Sequence, residues 1–127
     1  MIKRLCVAVL CLGLSLVAQA DELYTGRYAS CMDESGGVTV NMMNCIAEEI
    51  RTQDARLNGA YQKLRGELSD ERRQELLAAQ RLWIQYRDAN CQFYATAGGT
   101  LAMVASNECV LRETAQRAAE LENLRAW

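Results

Sequence analysis

The feature that most constrains this chain is the spacing of its apolar residues, which recur every three or four positions from about residue 41 to the C-terminus. This spacing places them on one face of a helix and is typical of amphipathic α-helices. The chain contains no Pro and one Phe among 127 residues, so a turn-rich β-sandwich is disfavoured. A length of this order corresponds to one domain. The sequence therefore predicts an all-α fold, a compact bundle of three to four helices.

Three long helices can be placed with approximate ends. The first runs from about Asn41 to Leu68, with an inward stripe of Ile46, Ile50, Asp54, Leu57, Tyr61, Leu64 and Leu68. Ser69 is a suitable N-cap for the second, with acidic residues in the next turn. Its inward stripe is Leu76, Leu77, Gln80, Trp83, Ile84, Arg87, Cys91 and Tyr94. It should end at Gly98 and Gly99, which readily adopt the left-handed conformation of a helix C-terminus.

The third helix should run from Thr100 towards the C-terminus, and Ser106 and Asn107 could interrupt it. Residues 21–40 show no helical periodicity and are interpreted as an irregular lead-in.

The first twenty residues have the pattern of a secretory signal peptide. Two basic residues, Lys3 and Arg4, precede an apolar run that closes with Ala18, Gln19 and Ala20. Cleavage is expected before Asp21, which leaves residues 21–127 as a single domain in the periplasm or outside the cell. Cys11 follows Leu10, where a lipoprotein signal needs a small residue, so no lipid anchor is expected.

Composition excludes several functional classes. The chain has no His, which rules out catalytic triads, zinc hydrolases and haem sites with a proximal His in their usual form. Removal of the leader leaves twelve basic and sixteen acidic residues and a net charge of −4. This charge disfavours nucleic acid and anionic membranes as partners. We therefore expect a protein partner, no catalytic activity, no cofactor and no metal.

Four cysteines remain after cleavage: Cys31, Cys45, Cys91 and Cys109. An even number in an exported domain indicates two disulfides, with three possible connectivities. A turn centred on residues 98–100 would bring Cys91 level with Cys109 on antiparallel helices, which favours this pair and leaves Cys31 to bond Cys45. The other pairings remain open from sequence.

Polar residues occupy positions of the predicted inward stripes. Arg87 is predicted to pair with Asp54 across antiparallel helices, and Gln80, Asn58 and Tyr61 can complete a buried network. The favoured interpretation is an ion pair that fixes helix register, and the alternative is a carboxylate with an Arg clamp that serves recognition or catalysis. Trp83, on the same stripe, is interpreted as a core residue.

The segment from Cys31 to Val40 is the candidate binding element. It contains Asp33, Glu34, Ser35, Gly36 and Gly37, and the predicted disulfide tethers it. An exposed and partly rigid loop of this kind often serves binding, although an ordinary surface loop is the alternative.

An ordered set of residues resembles the LprI-like family of secreted bacterial domains, named for a mycobacterial lipoprotein that inhibits lysozyme. The set covers Cys31 to about Leu124 and comprises Asp54, Leu57, Asn58, Tyr61, Gln80, Trp83, Arg87, Asp88, Cys91, Gly98, Gly99, Thr100, Cys109, Thr114, Arg117 and Leu121. The resemblance implies an exported helical domain with four bridged cysteines and a role in protecting the cell wall from lysozyme.

Two hypotheses follow. The first is a periplasmic inhibitor of a basic lysozyme, in which acidic residues of the segment assist encounter while its backbone and hydroxyl groups enter the cleft. The second is a structural or envelope-assembly module that binds another protein without inhibiting anything.

Overall fold

The computed structural model describes residues 23–124, which form four helices and no strand. These are α1 (Gly26–Glu34), α2 (Thr39–Glu67), α3 (Asp70–Ala95) and α4 (Thr100–Asn123). The predicted all-α bundle is confirmed. The predicted signal peptide, residues 1–20, lies outside the described residues.

Helix α1 corrects the sequence prediction of an irregular lead-in over residues 21–40. The helix begins after Thr25, whose side chain accepts a hydrogen bond from the Tyr28 backbone N–H. Tyr24, Tyr28 and Met32, spaced by four, pack against the core cluster around Ile46. Three residues at this spacing span only about two helical turns, which is too little to mark a helix by themselves, and packing rather than propensity stabilises so short a helix.

The predicted start of α3 is confirmed, whereas the helix ends earlier than predicted, at Ala95 rather than at Gly98 and Gly99. Ser69 caps α3 by accepting a hydrogen bond from the Arg72 backbone N–H. Beyond the C-terminus of α3, Gly98 and Gly99 have φ angles of +85° and +81°. Residues that carry a Cβ rarely adopt these angles.

Helix α4 is continuous through the predicted interruption. The Ser106 hydroxyl donates a hydrogen bond to the Cys91 carbonyl, and the Asn107 amide donates one to the Met103 carbonyl. Both polar side chains therefore bond to helical backbone, one of them on the neighbouring helix.

Helix α4 packs against both α2 and α3, and its contact with α2 is the most extensive in the described region. It runs in the same direction as α2 and antiparallel to α3. Two apolar clusters result. One, near the α2–α3 turn, contains Leu57, Ala60, Leu64, Leu76, Ala118 and Leu121, with Trp83 packed against it as predicted. The other contains Ile46, Val104 and Leu111.

Both predicted disulfides are present. The Cα atoms are 5.7 Å apart in Cys31–Cys45, which joins α1 to α2, and 5.4 Å apart in Cys91–Cys109, which joins α3 to α4. Each bridge therefore fixes a different helix pair.

Candidate functional site

The predicted binding residues lie where α1 turns into α2. Asp33 and Glu34 form the exposed last turn of α1, and Gly36 and Gly37 make the turn, with φ angles of +59° and +75°. The segment is therefore a helix end and a tight turn rather than a loop. We call residues 33–40, the end of α1 together with the start of α2, the α1–α2 corner.

Ser35 differs from the other predicted binding residues because only 5% of its surface is exposed. Its hydroxyl donates to the Met32 carbonyl at 2.6 Å and accepts from the Gly37 N–H at 3.4 Å. The side chain therefore holds the corner from inside. Sequence reasoning placed its hydroxyl in a partner's cleft, and the structure places it in the turn itself.

A buried carboxylate anchors the other end of α1. Glu49 is 4% exposed and accepts hydrogen bonds from the Thr25 backbone N–H at 2.9 Å, the Thr25 hydroxyl at 2.6 Å and the Gln53 amide at 2.8 Å. Burial acts to raise the pKa of Glu49, but these hydrogen bonds outweigh it and hold the pKa below the ordinary value. Helix α1 is thus fixed at both ends, by Glu49 and by the Cys31–Cys45 disulfide.

Two tyrosines close the space between α1 and the core. The rings of Tyr24 and Tyr28 meet edge to face, with centroids 5.2 Å apart. Burial, followed by the nearby negative charge of Glu108, raises the pKa of Tyr28 to about 12. The phenol therefore remains neutral at physiological pH and contributes to packing.

A hollow of about 270 Å³ lies on the surface beside the Cys31–Cys45 disulfide. Its polar lining consists of the carboxylates of Glu34 and Glu48, the carboxamides of Asn41 and Asn44, and Ser35. Carboxylates and amide oxygens accept hydrogen bonds, so this surface suits a guanidinium or ammonium group. Arg27 is the only cation of the described region that an ion pair brings to these two carboxylates, at 3.4 Å from Glu48.

Sequence reasoning missed Asn41, Asn44 and Glu48 as parts of this site. Their spacing of three and four, shared with Cys45, places them on one side of α2, and this spacing is visible in the sequence. Sequence reasoning included Val38 and Val40 in the candidate segment but did not single them out, and the structure shows both as exposed apolar residues. Asn41, Asn44 and Glu48 were missed because residues 21–40 were predicted to be irregular. Without helix α1, the sequence does not indicate which side of α2 the preceding segment contacts.

The five residues of the predicted polar network are not brought together. Asp54 and Asn58 are exposed and bond to each other, and Tyr61 packs against the core. Gln80 is buried as predicted but accepts its hydrogen bond from Arg117, at 3.0 Å. Arg87 pairs with its neighbour Asp88 at 2.9 Å and lies over the Trp83 ring.

Helix rotation explains the missing Asp54–Arg87 pair. The inward face of α2 carries Ile46, Gln53, Leu57 and Leu64, and Asp54 lies about 80° away from its centre at 100° per residue. In addition, the inward faces of α2 and α3 both pack against α4 rather than mainly against each other, so Asp54 of α2 and Arg87 of α3 do not meet.

The change of partner makes Arg117, rather than Arg87, the arginine on which a buried polar side chain depends. Replacing Arg117 by Ala should lower the free energy of unfolding by about 2 kcal/mol, because it leaves the buried Gln80 oxygen unpaired. Replacing Arg87 by Ala should cost only about 1 kcal/mol, the contribution of an ion pair and a contact with a ring. Chemical denaturation of both variants measures the difference, and a larger loss for Arg87→Ala would contradict this assignment.

Within residues 23–124, no three Cys, Asp or Glu side chains are grouped closely enough to hold a metal ion. None of the helices in the same range is both long and apolar enough to cross a bilayer.

The described region is thus all-helical, with two disulfides and with acidic residues exposed at the α1–α2 corner. The family model described as "Lysozyme inhibitor LprI" matches residues 31–121, and the chain belongs to this family. The matched range includes the α1–α2 corner and both disulfides. Neither the curated proteins nor the solved structures give a match.

Proposed function

We propose that this protein is exported to the periplasm or beyond, binds a lysozyme and inhibits it by contact rather than by catalysis. The observation that carries the proposal is the match to the lysozyme inhibitor family over residues 31–121. Two disulfides support an oxidising compartment outside the cytoplasm.

We assign the lysozyme contact to the α1–α2 corner. Its backbone is held by the Cys31–Cys45 disulfide and by the internal hydrogen bonds of Ser35. A surface that is already fixed loses little conformational entropy on binding, which favours affinity. Ser35 therefore supports the contact, and the exposed Asp33, Glu34, Gly36 and Gly37 make it.

Charge supports a basic partner. Asp33 and Glu34 are exposed at the end of α1, and Glu34 lines the hollow together with Glu48, Asn41 and Asn44. Animal-type lysozymes are strongly basic, so opposite charges increase the rate of encounter. We place an Arg or Lys side chain of the lysozyme in this hollow, and Val38 and Val40 add apolar contact beside it.

Reversing the corner charges should weaken inhibition. The double variant Asp33→Lys/Glu34→Lys should associate roughly tenfold more slowly with a basic lysozyme at low salt, because long-range attraction becomes repulsion. Surface plasmon resonance and lysis of cell-wall substrate measure the effect. Added salt should slow wild-type association and narrow the difference between the two proteins.

The matched control is Asp54→Lys/Glu67→Lys. It makes the same change in net charge at exposed positions farther along α2. It should retain most of the inhibition. Equal losses in both double variants would show that only net charge matters and would contradict the assigned corner. If the wild-type oxidised protein in molar excess slows no lysozyme at low salt, inhibition is excluded and the envelope-assembly role replaces it.

A further inference from the structure

The outward face of α3 carries an apolar stripe that the described helices leave uncovered. Leu82, Tyr86 and Phe93 are 66%, 58% and 77% exposed, and Ala89 between them is exposed as well. At 100° per residue these four side chains lie within about 60° of arc. We call Leu82, Tyr86, Ala89 and Phe93 the α3 stripe.

The stripe is not part of the bundle core. Helix α3 turns a different face inward, which carries Leu76, Gln80 and Cys91. Single exposed apolar residues are ordinary on protein surfaces, but a contiguous row of large ones marks an interaction surface.

The stripe is also uncharged. From Ala78 to Ala97 no charged residue falls within about 60° of its centre. Arg87 and Asp88 lie to either side, and they pair with each other at 2.9 Å. A basic partner finds no opposite charge on this face. A second copy of the acidic chain places no like charges opposite each other when the two faces pack together.

The spacing of the stripe points to its occupant. The steps between its four residues are four, three and four, so the spacing of the row, though not the order of its residue types, is the same in both directions. A two-fold axis midway between residues 87 and 88 would superimpose the row on a reversed copy, as an isologous interface requires.

We propose that the α3 stripe binds the same stripe of a second copy of this chain, in an antiparallel helix pair. Leu82 then packs against Phe93 of the second copy at each end of the row. Tyr86 packs against Ala89 of the second copy near the axis, where the small methyl group leaves room for the ring.

The area implies a weak dimer. The three large side chains of the stripe expose roughly 400 Å² per copy, judged from the 150–250 Å² that a buried aromatic contributes. Two copies then bury about 800 Å², to which flanking residues add, against about 1,200 Å² at the lower limit of stable interfaces. The dimer should therefore be populated only at high protein concentration.

Sedimentation equilibrium of the oxidised mature protein, from about 10 µM to about 1 mM, tests the proposal. The wild type should shift from monomer towards dimer across this range. Ala89→Glu should raise the dissociation constant at least roughly tenfold, because it places two carboxylates close to the axis. Ala55→Glu, at an exposed Ala of α2, is the matched control and should dimerise like the wild type. Circular dichroism verifies that both variants stay folded.

A charge-swap experiment tests the register. Leu82→Lys and Phe93→Glu should each weaken self-association, because each leaves a charge opposite an apolar side chain. An equimolar mixture should form a heterodimer, since the two new charges meet at one end while Leu82 and Phe93 meet at the other.

Three results would overturn the proposal. One is a wild type that stays monomeric at the highest concentration, and another is a dimer that Ala89→Glu leaves unchanged. The third is a mixture that associates no better than its components. Lysozyme inhibition is measured in parallel: a monomeric wild type that loses inhibition with Ala89→Glu would assign the stripe to the lysozyme instead.

Discussion

Replacing both Cys91 and Cys109 by Ala should lower the free energy of unfolding by about 3 kcal/mol, the entropy that a bridge of this span removes from the unfolded chain. The sulfur atoms lie in the core, where the residues are 2% and 0% exposed, so the smaller side chains also leave a cavity. Replacing both partners leaves no free thiol to exchange. Urea denaturation of the mature protein measures the loss.

The matched comparison is Cys31→Ala/Cys45→Ala. This bridge spans a similar length, 14 positions against 18, but it holds only the nine-residue α1 against α2. Its loss should release α1 locally, so hydrogen exchange should accelerate in α1 while α2 to α4 keep their protection. Inhibition of lysozyme should fall, because the α1–α2 corner loses its support.

The Cys91→Ala/Cys109→Ala variant is therefore expected to lose global stability, whereas the Cys31→Ala/Cys45→Ala variant is expected to lose the local order of α1 and the proposed inhibition. A Cys91→Ala/Cys109→Ala protein that unfolds like the wild type would contradict the first expectation. Unchanged exchange in α1 of the other variant would contradict the second.

Replacing Glu49 by Ala should lower the free energy of unfolding by about 3 kcal/mol near neutral pH. The change removes three hydrogen bonds to a buried carboxylate and leaves the Thr25 N–H and the Gln53 amide without their partner. Glu49→Gln keeps the shape but not the charge, so it should lose less. Glu48→Gln, at the exposed neighbouring position, is the control and should change stability by under about 0.5 kcal/mol.

Acid should remove this stabilisation. The folded-state pKa of Glu49 lies below its ordinary value of 4.5, so folding favours the ionised form. The contribution is present in full above about pH 4.5 and disappears as the pH falls through the folded-state pKa. Glu122, whose pKa is lowered by hydrogen bonds from Arg56, contributes in the same pH range.

The difference between wild type and variant isolates the part that belongs to Glu49. As the pH falls below about 5, Glu49→Gln should lose stability less steeply than the wild type. Equal slopes, together with equal stability at neutral pH, would show that the carboxylate does not anchor α1.

The helical fold followed from the sequence because its causes are local. Apolar spacing, the Ser69 cap and the left-handed Gly98 and Gly99 act within a few residues. The structure places the cap as expected, and both glycines have positive φ angles, although α3 ends before them at Ala95. The favoured disulfide pairing is confirmed as well, because the antiparallel turn brings Cys91 level with Cys109, although the sequence alone left the other pairings open.

Helix α1 and the buried polar contacts did not follow from the sequence, because their causes are tertiary. Nine residues are helical here since Glu49, Cys45 and the core around Ile46 hold them. Gln53 rather than Asp54 faces inward, and Gln80 bonds Arg117 rather than Arg87, because α4 packs against both α2 and α3. The predicted stripe and the observed inward face of α2 share Ile46, Leu57 and Leu64, so a rotation of less than one residue decides which polar side chains face inward.

The candidate site divides in the same way. The sequence by itself identified an acidic, glycine-containing segment that begins at Cys31 and favoured a bridge from Cys31 to Cys45, which the structure confirms. Only the tertiary structure turned Ser35 inward and set Glu34 beside Asn41, Asn44 and Glu48, which α2 carries. The physical reason is that a surface hollow is made by side chains from two elements, and their relative placement depends on the packing of the whole chain.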